Sequence, residues 1–296
     1  MSNLSELLPA GAGAKSAKFV ASGTLASGVT VALKSNGQVE AIASVGQSIG
    51  AESVFETATS NYSAATYDSN SNKVVIAYQD AGNSDYGTAV VGTVSGTSIS
   101  FGTPVAFTNG DAGGEIALAF DSSSNKVVIA YINQQNSYYG TAIVGTVSGT
   151  SISFGTAVVF ESATAYYIGS TFDSTNNKIV LSYRDAGNSD YGTAIVGTVS
   201  GTSISFGSAV VFESATTNET AATYDSTNGR IVIAYSDTGN SGYGTAIVGT
   251  VSGTSISFGS AVVFETAVIN STTATYDSSS NKIVITYSDG GNSYYG

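Results

Sequence analysis

The chain contains neither cysteine nor histidine among its 296 residues. Without cysteine, no disulfide bridge and no thiolate zinc site can form. Without histidine, the chain lacks the commonest general base and the commonest metal ligand, and a Ser-His-Asp triad is impossible. These two absences remove several common catalytic and metal-binding arrangements before any motif is considered.

Basic residues are also scarce, with nine Lys and Arg against 21 Asp and Glu and a formal net charge of −12. Such a chain repels phosphate backbones and anionic lipids, so we expect neither nucleic acid nor a membrane surface as a partner. No apolar run is long enough to cross a membrane, and residues 1–19, MSNLSELLPAGAGAKSAKF, lack the pattern of a secretory signal. We therefore expect a soluble protein with no signal peptide, which leaves the producing cell by lysis or a specialised route.

The sequence is dominated by a repeat. Residues 139–155, 191–207 and 243–259 all read YGTAIVGTVSGTSISFG, and residues 86–102 differ only by valine at position 90. The period is also marked by five aspartates, which follow one another at steps of 53, 52, 52 and 52 residues: Asp68, Asp121, Asp173, Asp225 and Asp277. A fixed period of this length predicts a repeat array or a β-propeller.

One repeat contains four β-rich runs separated by polar turns, at residues 168–173, 178–183, 192–199 and 203–212. These runs predict a four-stranded antiparallel meander. The second run, such as VVIA at residues 74–77, is apolar on both sides and must be covered on both faces. The first run is rich in small residues, as the strand nearest a propeller channel would be. The predicted fold is all-β, a propeller of four-stranded antiparallel blades, with a linear row of meanders as the alternative.

The repeats give the domain organisation. We predict an N-terminal segment over residues 1–37, partly flexible, and a propeller over residues 38–296. The full repeats lie near residues 62–107, 115–160, 168–212 and 220–264, and residues 272–296 begin a fifth. Residues 48–55 match residues 257–264 as a diverged fourth strand, and residues 38–43 fall where a third strand would lie. Residues 38–58 would then complete the last blade by pairing the two chain ends, giving five blades and no open edge.

A different interpretation of the N-terminal region remains open. Residues 29–34 and 38–42 flank Asn36 and Gly37, a strong signal for a two-residue hairpin turn. These residues would then form their own hairpin, and the chain would be the front part of a longer repeat protein.

Few residues suggest metal binding or catalysis. The run DSNSN at residues 68–72 resembles the start of a calcium loop but lacks the required Gly and Glu, so we interpret the aspartate as a turn cap. Calcium is a minority interpretation, and no cofactor is predicted. Three acids depart from the repeat, Asp111, Glu115 and Glu219, and a glycoside hydrolase would need two such carboxylates. We expect a protein that is not an enzyme, with glycoside hydrolysis as a second alternative.

The repeats differ mainly in two sets of loops, the links between units and the loops after the second strands. An up-and-down meander places both sets on one face, and variation on a constant scaffold indicates recognition. Aromatic rings among amide and acidic groups suit sugar hydroxyls, although packing between blades would also explain the tyrosines. The candidate ligand-binding residues are Tyr62, Tyr138, Tyr166, Tyr167, Asn218, Asn270 and Tyr294.

The chain resembles predicted virion proteins of marine bacteriophages. The likeness covers MSNLSELLP and its Gly/Ala-rich continuation, the hairpin around Asn36 and Gly37, and units of the form YDS..NKIVI.Y.D.GNS.YGTAIVGTVSGTSISFG. This resemblance implies a tail- or fibre-associated structural protein that takes part in host attachment. The near-identical units are also similar in architecture to small propeller lectins.

These observations predict a non-enzymatic β-propeller of a phage virion. Its variable loop face would attach to host surface glycans, with cell-surface carbohydrate or other virion proteins as partners. The alternative is a purely structural spacer or decoration module.

Overall fold

The structure is a computed structural model that describes residues 20–25, 31–41 and 49–296. The chain divides into two compact parts, Met1–Ile49 and Gly50–Gly296. Among the described residues, no helix has the length and apolar character needed to cross a membrane. In the described ranges the regular structure is strand, apart from short 3₁₀ turns at Ala81–Asn83, Gln134–Asn136, Thr238–Asn240 and Gly290–Asn292. The predicted all-β class with antiparallel repeat strands is confirmed.

The first part contains a small three-stranded sheet. It consists of β1 (Val20–Ala21), β2 (Val31–Leu33) and β3 (Gln38–Ala41) in the order β1-β3-β2. The turn between β2 and β3 is closed by hydrogen bonds from Lys34 N to Gln38 O (2.8 Å) and from Gly37 N to Lys34 O (3.0 Å), with Gly37 at a φ of 81°. The alternative interpretation of these residues as a hairpin is therefore confirmed.

The position of β3 corrects the predicted completion of the last blade. Residues 38–43 were expected to supply its third strand. In the structure β3 lies between β1 and β2, with Gln38 and Val39 opposite β1 and Val39–Ala41 opposite β2. Residues 42–48, which include the start of the predicted fourth strand, lie outside the described residues.

The second part is a series of antiparallel meanders that form two sheets. Most of them belong to one continuous fourteen-stranded sheet, and the first forms a sheet of five strands. The strands are β4 (Ser60–Asp68), β5 (Lys73–Asp80), β6 (Tyr86–Ser95), β7 (Ser98–Phe101), β8 (Val105–Asp111), β9 (Ile116–Asp121), β10 (Lys126–Asn133), β11 (Tyr139–Ser148), β12 (Ser151–Phe154), β13 (Val158–Asp173), β14 (Lys178–Asp185), β15 (Tyr191–Ser200), β16 (Ser203–Phe206), β17 (Val210–Asp225), β18 (Arg230–Asp237), β19 (Tyr243–Ser252), β20 (Ser255–Phe258), β21 (Val262–Asp277) and β22 (Lys282–Asp289).

The fourth strand of each unit differs from the prediction. A single strand over residues 203–212 was expected, but the structure has β16, a break at residues 207–209, and then β17. Strand β17 pairs first with β15 of its own unit and then, from Thr217 onward, with β18 of the next unit, with a bulge between Asn218 and Ala221. The last three links between units are therefore continuous bulged strands, β13, β17 and β21, whereas the first link is interrupted between β8 and β9. Residues expected to form a loop, such as Tyr166 and Asn218, lie within β13 and β17.

The break in the fourth strand has a steric cause. A Cβ placed on Gly207 would lie 1.9 Å from the carbonyl oxygen of Thr254, in the turn of the following unit. Only glycine allows that approach, and its amide also bonds to Val196 O at 2.9 Å. This contact fixes the spacing between consecutive units.

The core lies between consecutive units. One face of each unit packs against the opposite face of the next. Val180, Ala194 and Val196 of the third unit meet Ile231, Ile233 and Tyr235 of the fourth, and all six are fully buried. A phenylalanine of the preceding unit joins each interface, as where Phe212 and Tyr235 lie 5.2 Å apart. The second strands, such as β14, are thus covered on both faces, as the sequence predicted.

Residues 50–58 occupy the position of a fourth strand against the first unit. Phe55 packs on Tyr78 at 5.1 Å, as Phe212 packs on Tyr235. The Tyr78 hydroxyl donates to Glu56, and a Cβ on Gly50 would lie 1.7 Å from the Thr97 carbonyl oxygen. This segment makes the side-chain contacts of a fourth strand, although its backbone is irregular over residues 50–58.

Candidate ligand-binding face

Two sets of loops meet at one end of the repeat units. The turn after β14 bonds to the link entering its own unit, from Ala186 N to Thr164 O at 3.1 Å. The same turn bonds to the link entering the next unit, from Thr217 N to Asp190 O at 3.1 Å. Because these bonds join the variable links to the variable turns, both sets lie on one face. The predicted common face is confirmed, and we name it the loop face.

The loop face carries a residue in left-handed conformation at the same position of each unit, which is a strand bulge in every unit except the second. The φ angles at this position lie between 50° and 55°. A side chain costs roughly 1–2 kcal/mol in this conformation, and such strain clusters at functional sites. The position is occupied by Tyr62, Glu115, Tyr167, Glu219 and Ser271 in the successive units.

A second left-handed position precedes each third strand, at the end of the turn on the same face. Its φ angles lie between 61° and 75°. The residues differ widely in size and charge from unit to unit, so this position varies independently of the backbone that holds it. The residues are Asp85, Tyr138, Asp190, Gly242 and Tyr294.

The predicted tyrosines divide by exposure. Tyr62, Tyr138 and Tyr294 are 57%, 50% and 63% exposed, and Tyr166 is 36% exposed. Tyr167 is half-buried, as are Asn218 and Asn270. The ring of Tyr62 also reaches the next unit, where a Cβ on Gly114 would lie 3.1 Å from Tyr62 Cζ.

Three of the predicted residues meet around Arg184. Its guanidinium carbon lies 4.5 Å from the ring centre of Tyr166 and 5.0 Å from that of Tyr167, in cation–π geometry. Nη1 donates to the side-chain oxygen of Asn218 at 2.6 Å, and Nε lies 3.4 Å from a carboxylate oxygen of Asp190. The structure brings Tyr166, Tyr167 and Asn218 together and leaves Tyr138, Asn270 and Tyr294 in other units.

Sequence reasoning missed Arg184 as the centre of this cluster. Its position is the end of the second strand, where the other units have Gln79, Ile132, Ser236 and Ser288. The signal was therefore present, because this position varies between otherwise constant strands. It was overlooked because variation was sought only in the loops.

Of the three acids that depart from the repeat, Glu115 and Glu219 are near enough for their charges to interact, and Asp111 has separate partners. Glu115 and Glu219 stand at equivalent positions of different units. Burial raises the pKa of the Glu115 carboxyl, against the lowering effect of the Tyr167 and Ile168 amides, and the Glu219 charge raises it further. Asp111 instead accepts from Gln79 Nε2 and from Gly113 N, both at 2.7 Å. These contacts hold Asp111 and Glu115 to the protein backbone.

The opposite face carries the constant turns. Asp68 accepts from the amides of Asn70 and Ser71 at 2.9 and 3.0 Å and also from the Ser71 hydroxyl. Asp173 and Asp225 accept equivalent amide bonds. The predicted turn-capping role is confirmed. Within residues 20–25, 31–41 and 49–296, no three acidic side chains are grouped so as to hold a metal ion.

Comparison with protein-family models and with curated proteins identified no relative of the chain. No protein-family model matches the chain, and no curated protein matches it significantly.

Proposed function

We propose that the chain is a non-enzymatic binding protein that uses the loop face to attach to cell-surface glycans. The observation that carries this proposal is the concentration of residue differences at left-handed positions of one face, on units whose strands are nearly identical. A scaffold that keeps its strands constant and varies one surface is typical of recognition proteins.

The chemistry of the loop face supports a carbohydrate ligand. Tyr62, Tyr138 and Tyr166 present rings with polar hydroxyls to solvent, beside amide groups such as that of Asn218. Rings that offer an apolar body and a polar tip suit the CH faces and hydroxyls of sugars. Because the units repeat, several weak sites on one face would bind a polymer together with increased avidity.

We also propose that the units are blades of a five-bladed propeller. The inner strands β4, β9, β13, β17 and β21 lie side by side in that order, which supports a radial arrangement. Within Gly50–Gly296, β4 and β21 do not pack against each other in this way. Closure of the ring can be tested by the distance between spin labels at Asp68 and Asp277. In a closed ring this distance should equal the distance between labels at Asp225 and Asp277, and a larger distance would contradict closure.

The place of the protein in a phage virion is part of the same proposal. It is supported by the resemblance of the repeat units and of the N-terminal MSNLSELLP segment to predicted virion proteins. A tail- or fibre-associated position would bring the loop face to the host surface.

A glycan array with two loop-face substitutions tests the binding function. Tyr62→Ser introduces the residue that the last unit has at the equivalent position, Ser271, and Tyr138→Gly introduces the residue that the fourth unit has at Gly242. The left-handed backbone at each position therefore accepts the new residue. We expect the double variant to lose affinity by about tenfold or more, the effect of removing central aromatic contacts. Tyr67→Phe, on the opposite face, is the matched control because Phe120 and Phe172 occupy its position.

The array also separates the alternatives. Absence of binding by the unmodified chain would favour a structural spacer or decoration module. Glycan turnover that is lost in Glu115→Gln or Glu219→Gln would favour a glycoside hydrolase, for which the raised pKa of Glu115 is the supporting observation.

A further inference from the structure

The guanidinium of Arg184 on the loop face has hydrogen-bond donors that the protein does not use. Within the described residues, a single hydrogen bond leaves it, from Nη1 to the side-chain oxygen of Asn218 at 2.6 Å. Nε has no hydrogen-bond partner and lies 3.4 Å from a carboxylate oxygen of Asp190. The side chains of Arg184 and Asp190 are 20% and 45% exposed, so both groups can meet a ligand from solvent.

The equivalent position in the first unit is closed. There Gln79 accepts from Asn61 Nδ2 at 3.2 Å, and its own Nε2 donates to Asp111 at 2.7 Å. Both ends of that amide are therefore engaged within the protein. In the third unit Arg184 takes the place of Gln79, and Tyr166 faces it across the strand pair where Asn61 faces Gln79. An arginine paired with an aromatic ring at these positions occurs in this unit alone.

Tyr166 adds an aromatic surface to the unused donors. The guanidinium carbon of Arg184 lies 4.5 Å from the centre of its ring, and the residue is 36% exposed. The guanidinium covers part of the ring, and the part that stays exposed offers a flat apolar surface to a ligand. One cluster thus combines N–H donors, the carboxylate acceptor of Asp190 and an aromatic surface.

The charge around Arg184 limits the kind of ligand. The other basic residues of Gly50–Gly296 begin the second strands, beside the constant turns of the opposite face: Lys73, Lys126, Lys178, Arg230 and Lys282. Burial raises the pKa of the Glu115 carboxyl, the Glu219 charge raises it further and the Arg184 charge lowers it, so these three groups lie near enough to interact. With Asp190, three carboxylates surround one guanidinium. This arrangement opposes an acidic ligand and does not oppose an uncharged one.

We propose that Arg184, Asp190 and Tyr166 form a subsite for an uncharged hexose residue, bound through two adjacent hydroxyl groups. The guanidinium would donate to the hydroxyl oxygens, and the Asp190 carboxylate would accept from the O–H groups. The CH surface of the sugar would lie on the exposed part of the Tyr166 ring. The inference rests on the proposed glycan-binding function and assigns to it one site and one class of sugar.

Calorimetric titration of the full chain with matched oligosaccharides tests the class of sugar. The neutral probes are oligosaccharides of dextran, mannan and galactan, and each is paired with the corresponding uronic acid oligosaccharide, which has a carboxylate at C6. We expect a neutral probe to bind, and its uronic acid counterpart to bind at least about tenfold more weakly. The affinity for the neutral probe should change by less than about twofold between about 50 and 500 mM salt, because no ion pair forms with the ligand.

Two substitutions test the residues of the subsite. Arg184→Gln introduces the residue that the first unit has at Gln79, and Asp190→Asn introduces a residue that tolerates the left-handed backbone there. Each should weaken binding of the neutral probe by about tenfold, since each removes a partner of the hydroxyl groups. An acidic ligand predicts the opposite sign for Asp190→Asn, because that change removes a repelling charge.

Arg230→Gln is the matched control, because Arg230 lies on the opposite face, where it donates to Gly229 O at 3.3 Å. It should leave the affinity for the neutral probe unchanged. Thermal unfolding shows whether each variant is folded, and Asp190→Asn tests the subsite even if Arg184→Gln unfolds.

The outcomes separate the subsite from the proposed function. A chain that binds no glycan on the array would overturn both. Three other results would overturn the subsite and leave glycan binding at the loop face in place: array binding without binding of any neutral probe, equal or tighter binding of a uronic acid probe, or unchanged affinity in the two variants.

Discussion

A half-buried glutamate beside a tyrosine recurs in consecutive units. The Tyr183 hydroxyl donates to Glu161 at 3.3 Å, and the Tyr235 hydroxyl donates to Glu213 at 3.2 Å. Burial raises the pKa of both carboxyls, and the nearby charges of Asp185 and Asp237 raise it further. Because burial favours the protonated form of these two carboxyls, their effect on the free energy of unfolding depends on pH.

The pH dependence of stability follows from these carboxyls. A carboxyl whose pKa is raised in the folded state binds more protons when the chain is folded than when it is unfolded. Its contribution to the free energy of unfolding is therefore fully present below the ordinary pKa of about 4.3, and it is lost as the pH rises through the raised pKa. We expect the free energy of unfolding, measured in urea, to fall between about pH 4.5 and neutrality.

The substitution Glu161→Gln tests the assignment of this pH dependence. The amide can still accept from Tyr183 but does not titrate, so stability at neutral pH should rise by less than about 1 kcal/mol and the pH slope should decrease. Glu52→Gln is the control, since Glu52 is exposed. An unchanged slope in Glu161→Gln would show that other groups control the pH dependence.

At the residue scale, some site residues could be predicted from the sequence and others could not. Tyr62 and Tyr166 were predicted on the loop face because they depart from the repeat. The position of Arg184 varies between units, but its role as the centre of a cluster could not be predicted, because Tyr166 and Asn218 meet it only through strand pairing and packing of consecutive units. The left-handed backbone at Glu115 and Glu219 was equally hidden, because glutamate does not signal a positive φ.

At the scale of elements, the break in each fourth strand controls how the units join. Gly207 lies against the Thr254 carbonyl, but Gly259, its equivalent in the next repeat, has only Val248 O nearby, at 3.8 Å from a built Cβ. The two glycines share a sequence context and differ in their surroundings. They provide a matched pair for measuring the contact.

We expect Gly207→Ala to destabilise the protein by about 3 kcal/mol or more, because the methyl group would clash with backbone that cannot rotate away. Gly259→Ala should cost less than about 0.5 kcal/mol, as at an open surface. Chemical denaturation of the two variants measures the difference. Equal effects would contradict the proposed role of the break.

The strands themselves were predictable from the sequence, and their joining was not. The meander and the tight Ser-Gly-Thr turn follow from β-branched runs and turn residues, and the structure has them near the predicted bounds. The long strands β13, β17 and β21 were not predicted, because Ala165, Tyr166 and Asn218 vary like loop residues. Their strand pairing depends on β14 and β18, which the local sequence does not reveal.

At the scale of the whole molecule, burial is greatest in the middle of the repeat series. Strand β14 is almost entirely buried, whereas β22 alternates exposed and half-buried residues. Val248 and Val284 remain exposed where their equivalents are covered. Local stability should therefore decrease toward the β22 end of the repeat series.

Hydrogen exchange on the intact chain measures this gradient. We expect amides of β14 to exchange at least about a hundredfold more slowly than those of Thr286 and Val284 in β22, which are paired but lie in a poorly covered unit. Uniform protection of β14 and β22 would show that the last unit is covered in solution.

Backbone NMR during titration with the strongest glycan from the array tests the binding function most directly. Binding through the loop face predicts amide shift changes confined to the neighbourhood of Tyr62, Tyr138 and the Arg184 cluster. Shift changes centred on the constant turns at Asp68 and Asp173 would contradict binding through the loop face. The absence of any shift change on addition of a glycan to which the chain binds on the array would contradict it as well.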